Sequence, residues 1–142
     1  MPEKSLPKKV LDAWAILALL QGEEPAASEV ARLLASAEHK KLKVFISIIN
    51  LGEVYYCVGK RKGEEAARET LEELHNMPIV VSPADNDQVL SAAALKIHYS
   101  LSYADAFAVA LAQFLNAPVL TGDPEICNLP EQFSVERLHL AP

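Results

Sequence analysis

The chain has 142 residues, 51% of them hydrophobic and 23% charged, which suits one globular domain and excludes a disordered polymer. Its formal net charge of −6 argues against a protein that coats nucleic acid through bulk electrostatics, while leaving open an enzyme that touches RNA locally. Two cysteines, Cys57 and Cys127, lack CxxC spacing, and the four histidines are scattered, so a disulfide framework, a zinc knuckle and a histidine-based metal site are all excluded as first readings.

Residues 1–7 hold two prolines and two charges and are expected to form a short disordered lead, with a single domain over residues 8–142. The start is too polar for a signal peptide. The apolar run from Val10 to Leu20 is broken by Asp12 and falls far short of the ~20 residues that span a bilayer. No membrane segment is expected, and a cytoplasmic location is the simplest reading.

Lys9-Val10-Leu11 reads as a short buried strand, and Asp12 to Leu20 as a helix stopped at Gly22. Ala27 to Lys41 carries Val30, Leu33, Leu34 and Ala37 at helical spacing. Lys43 to Ile46 is β-branched and aromatic and predicts a second strand, followed by a helix from Ser47 to Val58 that ends near Gly59. Glu64 to Asn76 favours helix by propensity, Ile79 to Val81 predicts a third strand, and Ala84 to His98 another amphipathic helix. Tyr103 to Leu115 is apolar nearly all round and must be buried. Pro118 to Thr121 predicts a fourth strand, Gly122-Asp123-Pro124 a turn into a short helical stretch, and Ser134 to Leu138 a fifth strand. Strands alternating with helices predict an α/β/α sandwich around a mainly parallel sheet of four or five strands.

In such sheets the binding crevice lies outside the carboxyl ends of the strands. Acids occupy those places: Asp12 follows the first strand, Glu53 lies in the second turn after the second, and Asp123 comes two residues after the fourth. Asp105 sits in the first turn of the all-apolar helix, where it is the only charge. Taken singly, each has a structural explanation. Asp12 and Asp123 can be N-caps, and Asn50-x-x-Glu53 and Ser102-x-x-Asp105 have the spacing of capping boxes. As a set, four carboxylates in one crevice repel one another unless a cation lies among them, and an ionised Asp105 carried inward needs a partner, a metal or a raised pKa. Oxygen donors without His or Cys suit Mg²⁺ or Mn²⁺, and phosphodiester hydrolysis is the reaction such a centre favours.

The segments Val-Leu-Asp12-Ala-Trp, Ile-Ser-Ile-Ile-Asn50-Leu-Gly-Glu53, Leu-Ser-Tyr-Ala-Asp105-Ala-Phe and Val-Leu-Thr121-Gly-Asp123-Pro resemble, in order, the four acidic motifs of PIN-domain nucleases. The resemblance implies a PIN-like fold and a Mg²⁺ or Mn²⁺ site. It also implies a homodimer and a single-strand endoribonuclease that leaves a 5′ phosphate. Small chains of this kind are similar to VapC-type toxins, whose partner antitoxin blocks the acidic pocket. By position, Asp12, Glu53, Asp105 and Asp123 match the catalytic and metal-binding acids, and Thr121 matches the hydroxyl residue before the last of them. The chain departs from many relatives at Pro124 and Glu125, where a basic residue is common, and Glu125 is a candidate to join the site through water. Asn50 is a further candidate beside Glu53, with a helix-cap role as the alternative.

Lys60-Arg61-Lys62 and Lys8-Lys9 are candidates to steer RNA phosphates, with solvated surface as the alternative. Tyr55 and Tyr56 offer base stacking, dimer contact or core packing. Two other readings compete: an inactive PIN-like binding or assembly module, and an RNA-processing nuclease without an antitoxin. A receiver-type signalling domain would need an acidic neighbour for Asp12, and a P-loop nucleotide-triphosphatase needs a GxxxxGK[ST] loop that the chain lacks.

Overall fold

The computed structural model describes residues 5–142. In chain order the elements are β1 (Lys8–Leu11), α1 (Ala13–Gln21), α2 (Ala26–Glu38), β2 (Lys43–Ser47), α3 (Ile48–Lys62), α4 (Glu64–His75), β3 (Ile79–Ser82), α5 (Asn86–His98), α6 (Tyr103–Leu115), β4 (Val119–Thr121), α7 (Pro124–Cys127) and β5 (Val135–Arg137). The expected lead falls partly on residues 1–4, outside the described residues; of the remainder, the Pro7 carbonyl accepts a bond from the Lys43 N–H at 2.8 Å. Among the described residues no helix is long and apolar enough to cross a membrane.

The strands form one five-stranded sheet in the order β3-β2-β1-β4-β5, with every neighbouring pair parallel. Period-two alternation divides its side chains between two cores. Leu11, Val44, Ile46 and Leu120 pack on one face with α1, α2, α3 and α4. Val10, Phe45 and Val119 point the other way, among residues of α5, α6 and α7. The result is the expected three-layer α/β/α sandwich, in which each fully buried Val, Leu or Ile contributes about 1.5–3 kcal/mol by leaving water.

The helix that is apolar all round is buried as its composition requires: Asp105 through Ala112 are all inaccessible. Four alanines in that run keep α6 thin enough to lie close to β1 and β2. Helix ends follow local chemistry. Gly22, at φ 64, takes the left-handed conformation that closes α1. The expected stop of α3 near Gly59 does not occur. That glycine instead lies at the contact with α4, where a Cβ would sit 3.6 Å from Ala67 Cβ, and α3 runs on to Gly63 at φ 96. Helix α5 starts two residues later than its apolar stripe implies, because the Asp85 carboxylate caps the Gln88 N–H.

From β1 the chain steps outward through β2 to β3, then returns to the far side of β1 for β4 and β5. The strand order therefore reverses between β1 and β4, which opens a crevice at their carboxyl ends. Asp12 follows β1 there, and Gly122 and Asp123 follow β4.

Candidate functional site

The floor of this crevice is a hydrogen-bonded relay. Asp12, 1% exposed, caps α1 by accepting the Ala15 N–H at 3.0 Å on Oδ1. Its Oδ2 accepts the hydroxyl of Thr121, the fully buried last residue of β4. The same hydroxyl oxygen accepts the Asp123 N–H at 2.9 Å, so one threonine joins the acids at the ends of β1 and β4. Asp123 in turn caps α7 through the Glu125 N–H at 2.9 Å, with Pro124 at the first helical position. Glu125 reaches across to α6, where its Oε2 accepts the Ser102 N–H at 3.0 Å. Ser102 closes the circuit by accepting the Asp105 N–H on Oγ at 3.1 Å.

Both acids are N-caps: in Asp12 the cap takes Oδ1 and the Thr121 hydroxyl takes Oδ2, whereas in Asp123 the cap takes Oδ1 alone. The two proposed capping boxes are not built as expected. Ser47, not Asn50, caps α3 through the Ile49 N–H. At α6 the Ser102 N–H that a box would give to Asp105 goes to Glu125 instead, while the Ser102 side chain is the hydrogen-bonding influence on the Asp105 carboxylate.

The structure brings carboxylate oxygens of Asp105, Asp123 and Glu125 within 4.8 Å of one another. Asp12 lies behind this group, linked to it through Thr121. Glu53, half-buried on α3, stands outside the triad but near enough to feel the charge of Asp123. Asn50, fully buried one turn before it, donates from Nδ2 to the Ala104 carbonyl at 3.0 Å and so ties α3 to the start of α6 beside Asp105. Its Oδ1 is buried with no donor on it.

The electrostatics are those of carboxylates crowded away from water. Burial, opposed by the Thr121 and Ala15 bonds and reinforced by Asp105 and Asp123, pushes the Asp12 carboxyl up to about 7. Burial and the charge of Asp123 push Asp105 up to about 7 as well, with Glu125 and Glu53 adding smaller repulsions. Burial, then Asp123, raises Glu53, and the Asn50 amide works in the opposite direction. Each shift expresses the cost of holding anions together away from water. A divalent cation among them removes that cost, and the donor set is oxygen alone, which fits Mg²⁺ or Mn²⁺.

Two contributions were not visible as site features in the sequence. Ser102 presents its backbone N–H to Glu125, a role with no residue-type signature. Gly122, between Thr121 and Asp123, lies against the Trp14 indole: a Cβ there would fall 2.3 Å from two ring carbons. The chain's one tryptophan, two residues after Asp12, therefore braces the turn that carries Asp123, and a lone glycine between a strand end and an acid is the signal that could have exposed it.

Comparison with curated proteins gives no match in sequence. Solved structures do match in fold. VapBC2 from Rickettsia felis, bound to a promoter DNA fragment, is 17% identical over 93% of this chain and 99% of the other, with a TM-score of 0.72. VapC20 from Mycobacterium tuberculosis, a toxin that cleaves the sarcin–ricin loop, is 20% identical over 87% and 97%, with a TM-score of 0.68. FitAcB from Neisseria gonorrhoeae is 20% identical over 89% and 95%, with a TM-score of 0.63. The PIN-domain family model matches residues 9–132, a span that runs from β1 past α7 and contains every acid of the crevice. With the sheet order, the strand-end acids and this match in agreement, the chain belongs to the PIN-domain family.

Proposed function

We propose that the chain is a metal-dependent endoribonuclease that hydrolyses phosphodiester bonds of single-stranded RNA, acting in the cytoplasm as the toxin of a toxin–antitoxin pair. The observation that carries this reading is the convergence of Asp105, Asp123 and Glu125 oxygens within 4.8 Å, with buried Asp12 held behind them. Mg²⁺ or Mn²⁺ would be held by Asp105 and Asp123 together with Asp12 and Glu53, with Glu125 supplementing them. When bound, the ion supplies Lewis-acid activation of water and stabilisation of charge on the phosphoryl oxygens.

The residues themselves do the positioning. Thr121 fixes the Asp12 carboxylate relative to Asp123, and Asn50 and Ser102 fix the start of α6, which sets where Asp105 points. Hydrolysis adds the water oxygen to phosphorus and breaks its bond to the 3′ oxygen. The products are a 5′ phosphate and a 3′ hydroxyl that takes up a proton.

The toxin role is supported by the structural neighbours, several of which are VapBC or FitAB complexes and so carry their own antitoxins. A homodimer is supported by Leu90 and Ile97 on α5 and Phe114 on α6, at least two-thirds exposed and apolar. The test is cleavage of single-stranded RNA by the purified chain. It should require Mg²⁺ or Mn²⁺, and Asp105→Asn should lower it at least about a hundredfold with an unchanged circular dichroism spectrum. Full activity in excess EDTA would remove the metal from the reading.

A further inference from the structure

The solvent side of α3 carries a row spaced by four residues: Ile48, Gly52, Tyr56 and Lys60, all exposed, opposite the buried Asn50, Leu51 and Val54. Isolated exposed apolar residues are ordinary, and three features set this row apart. Tyr56 lies one turn after Gly52 and Glu53 on α3, and helical side chains lean toward the preceding turn, which directs the tyrosine toward Glu53 and the acidic crevice. In keeping with this, the charge of Glu53 is the largest influence on the Tyr56 hydroxyl. Lys60 leans back in the same way, and its Nζ sits 5.3 Å from the Tyr56 ring centroid. Gly52 has no atom outside its own helix within 4 Å of where a Cβ would be, so packing does not require a glycine, yet glycine weakens an exposed helix interior. What it leaves is open surface one turn before the tyrosine.

An exposed aromatic face, a cation against it and unobstructed surface between them and the carboxylates together match how proteins hold unpaired nucleic acid, by stacking a base and neutralising its phosphate. The position also answers the electrostatic difficulty of the site. RNA must approach a net-negative chain through a carboxylate cluster, and Lys60 with Arg61 and Lys62 places positive charge about 10 Å along the helix axis from Glu53. We propose that Gly52, Tyr56 and Lys60 form a nucleotide-binding subsite, with an unpaired base of single-stranded RNA stacked on Tyr56 beside the open surface at Gly52 and the neighbouring phosphate on Lys60. This rests on the nuclease reading and adds to it the side from which the strand enters.

The experiment is fluorescence anisotropy with a short labelled single-stranded oligoribonucleotide on the full chain carrying Asp105→Asn, so that the RNA stays intact. Cleavage by the same variants in the Asp105 background is measured in parallel. Tyr56→Ala should weaken binding about tenfold or more, while Tyr56→Phe, which keeps the ring, should stay within about twofold. Lys60→Ala should reduce the slope of log Kd against log salt by about 0.7, the value for one phosphate contact on a single strand. Gly52→Ala should melt at a higher temperature yet bind RNA several-fold less tightly, a pairing that a purely structural role cannot produce.

RNA affinity unchanged in Tyr56→Ala and Gly52→Ala overturns the subsite. If Tyr56→Ala instead alters sedimentation with RNA affinity intact, the row is a protein contact and the subsite is likewise overturned. Binding that follows the expected pattern without cleavage in any divalent ion overturns the nuclease reading and leaves the subsite standing. Cleavage that is metal-dependent and indifferent to Tyr56 does the reverse, and a chain that binds no RNA overturns both.

Discussion

At the amino ends of β1 and β2, Lys8, Lys9 and Lys43 keep contact with solvent, whereas at the carboxyl ends of β1, β2 and β4, Asp12, Ser47 and Thr121 are buried. Asn50 and Asp105, in the helix starts beside them, are buried too, so that of six buried polar or charged residues among the described ones only Gln88 lies outside this group. The amino ends obey the usual arrangement of apolar stems inside and charged heads outside. The carboxyl ends break it. Caps at Asp12 and Ser47 account for part of this polar burial, whereas the unpartnered Asn50 Oδ1 and the crowded Asp105 carboxylate are not explained by helix ends, and polar burial concentrated at one end is what the proposed function requires.

Thr121→Val gives the largest effect on that contrast. Valine keeps the shape but removes the one hydroxyl that both donates to Asp12 and accepts from Asp123, leaving the buried Asp12 Oδ2 and the part-buried Asp123 N–H without these partners. Cleavage should fall roughly 10- to 100-fold, with a stability loss of about 1–3 kcal/mol in chemical denaturation. Thr121→Ser should retain activity within a few-fold, since the hydroxyl is kept. An active Thr121→Val protein would show that the link between Asp12 and Asp123 has no functional part.

A pH series in the absence of metal sharpens the same contrast at a smaller scale. Asp12 and Asp105 are raised from 3.8 to about 7 in the fold, so between these values the native state holds protons that the unfolded chain has released. Unfolding free energy therefore falls as pH rises through roughly 4 to 7, and the stability these carboxyls retain when protonated is lost above that window. In EDTA the melting temperature should drop across this range. Saturating Mn²⁺ should flatten or reverse the drop by binding only the ionised native site. Asp105→Asn should reduce the slope in EDTA, and a metal-free protein that gains stability from pH 5 to 8 would sink this account.

The same contrast explains what could be read from the residues. The sheet and its layers follow from alternation, as in Val10 facing one core and Leu11 the other, and the burial of α6 follows from a run with a single charge. Asp12 and Asp123 were legible because a strand end fixes its next residue to within a turn. Glu125 was legible only as a water-linked candidate. Its reach to Ser102 and its place beside Asp105 depend on the orientation of the four-residue α7, which a hydrophobic pattern does not encode. Glu53 posed a related problem: a helix start moved by one residue turns a side chain by about 100°. With α3 starting at Ile48, Glu53 lies near the triad without joining it. The passage of α3 through Gly59 was hidden because glycine there serves contact with Ala67, not termination.

The smallest effect belongs to the half of the sheet away from the acids, where Lys9 on β1 pairs with Glu136 on β5 across β4. Both side chains remain partly exposed, at 24% and 49%, so solvent screens the attraction and both ions keep hydration. Register pairs Leu120 of β4 with Glu136 on one side and with Leu11, two residues beyond Lys9, on the other, and its burial does not depend on the charge of Lys9 or Glu136. Glu136→Gln should therefore change unfolding free energy by about 0–1 kcal/mol, an effect that shrinks further in high salt, and should leave RNA cleavage within about twofold of the parent. A tenfold loss of cleavage in Glu136→Gln would mean that charge in this half reaches the chemistry, and the division between a packing end and a working end of the sheet would no longer hold.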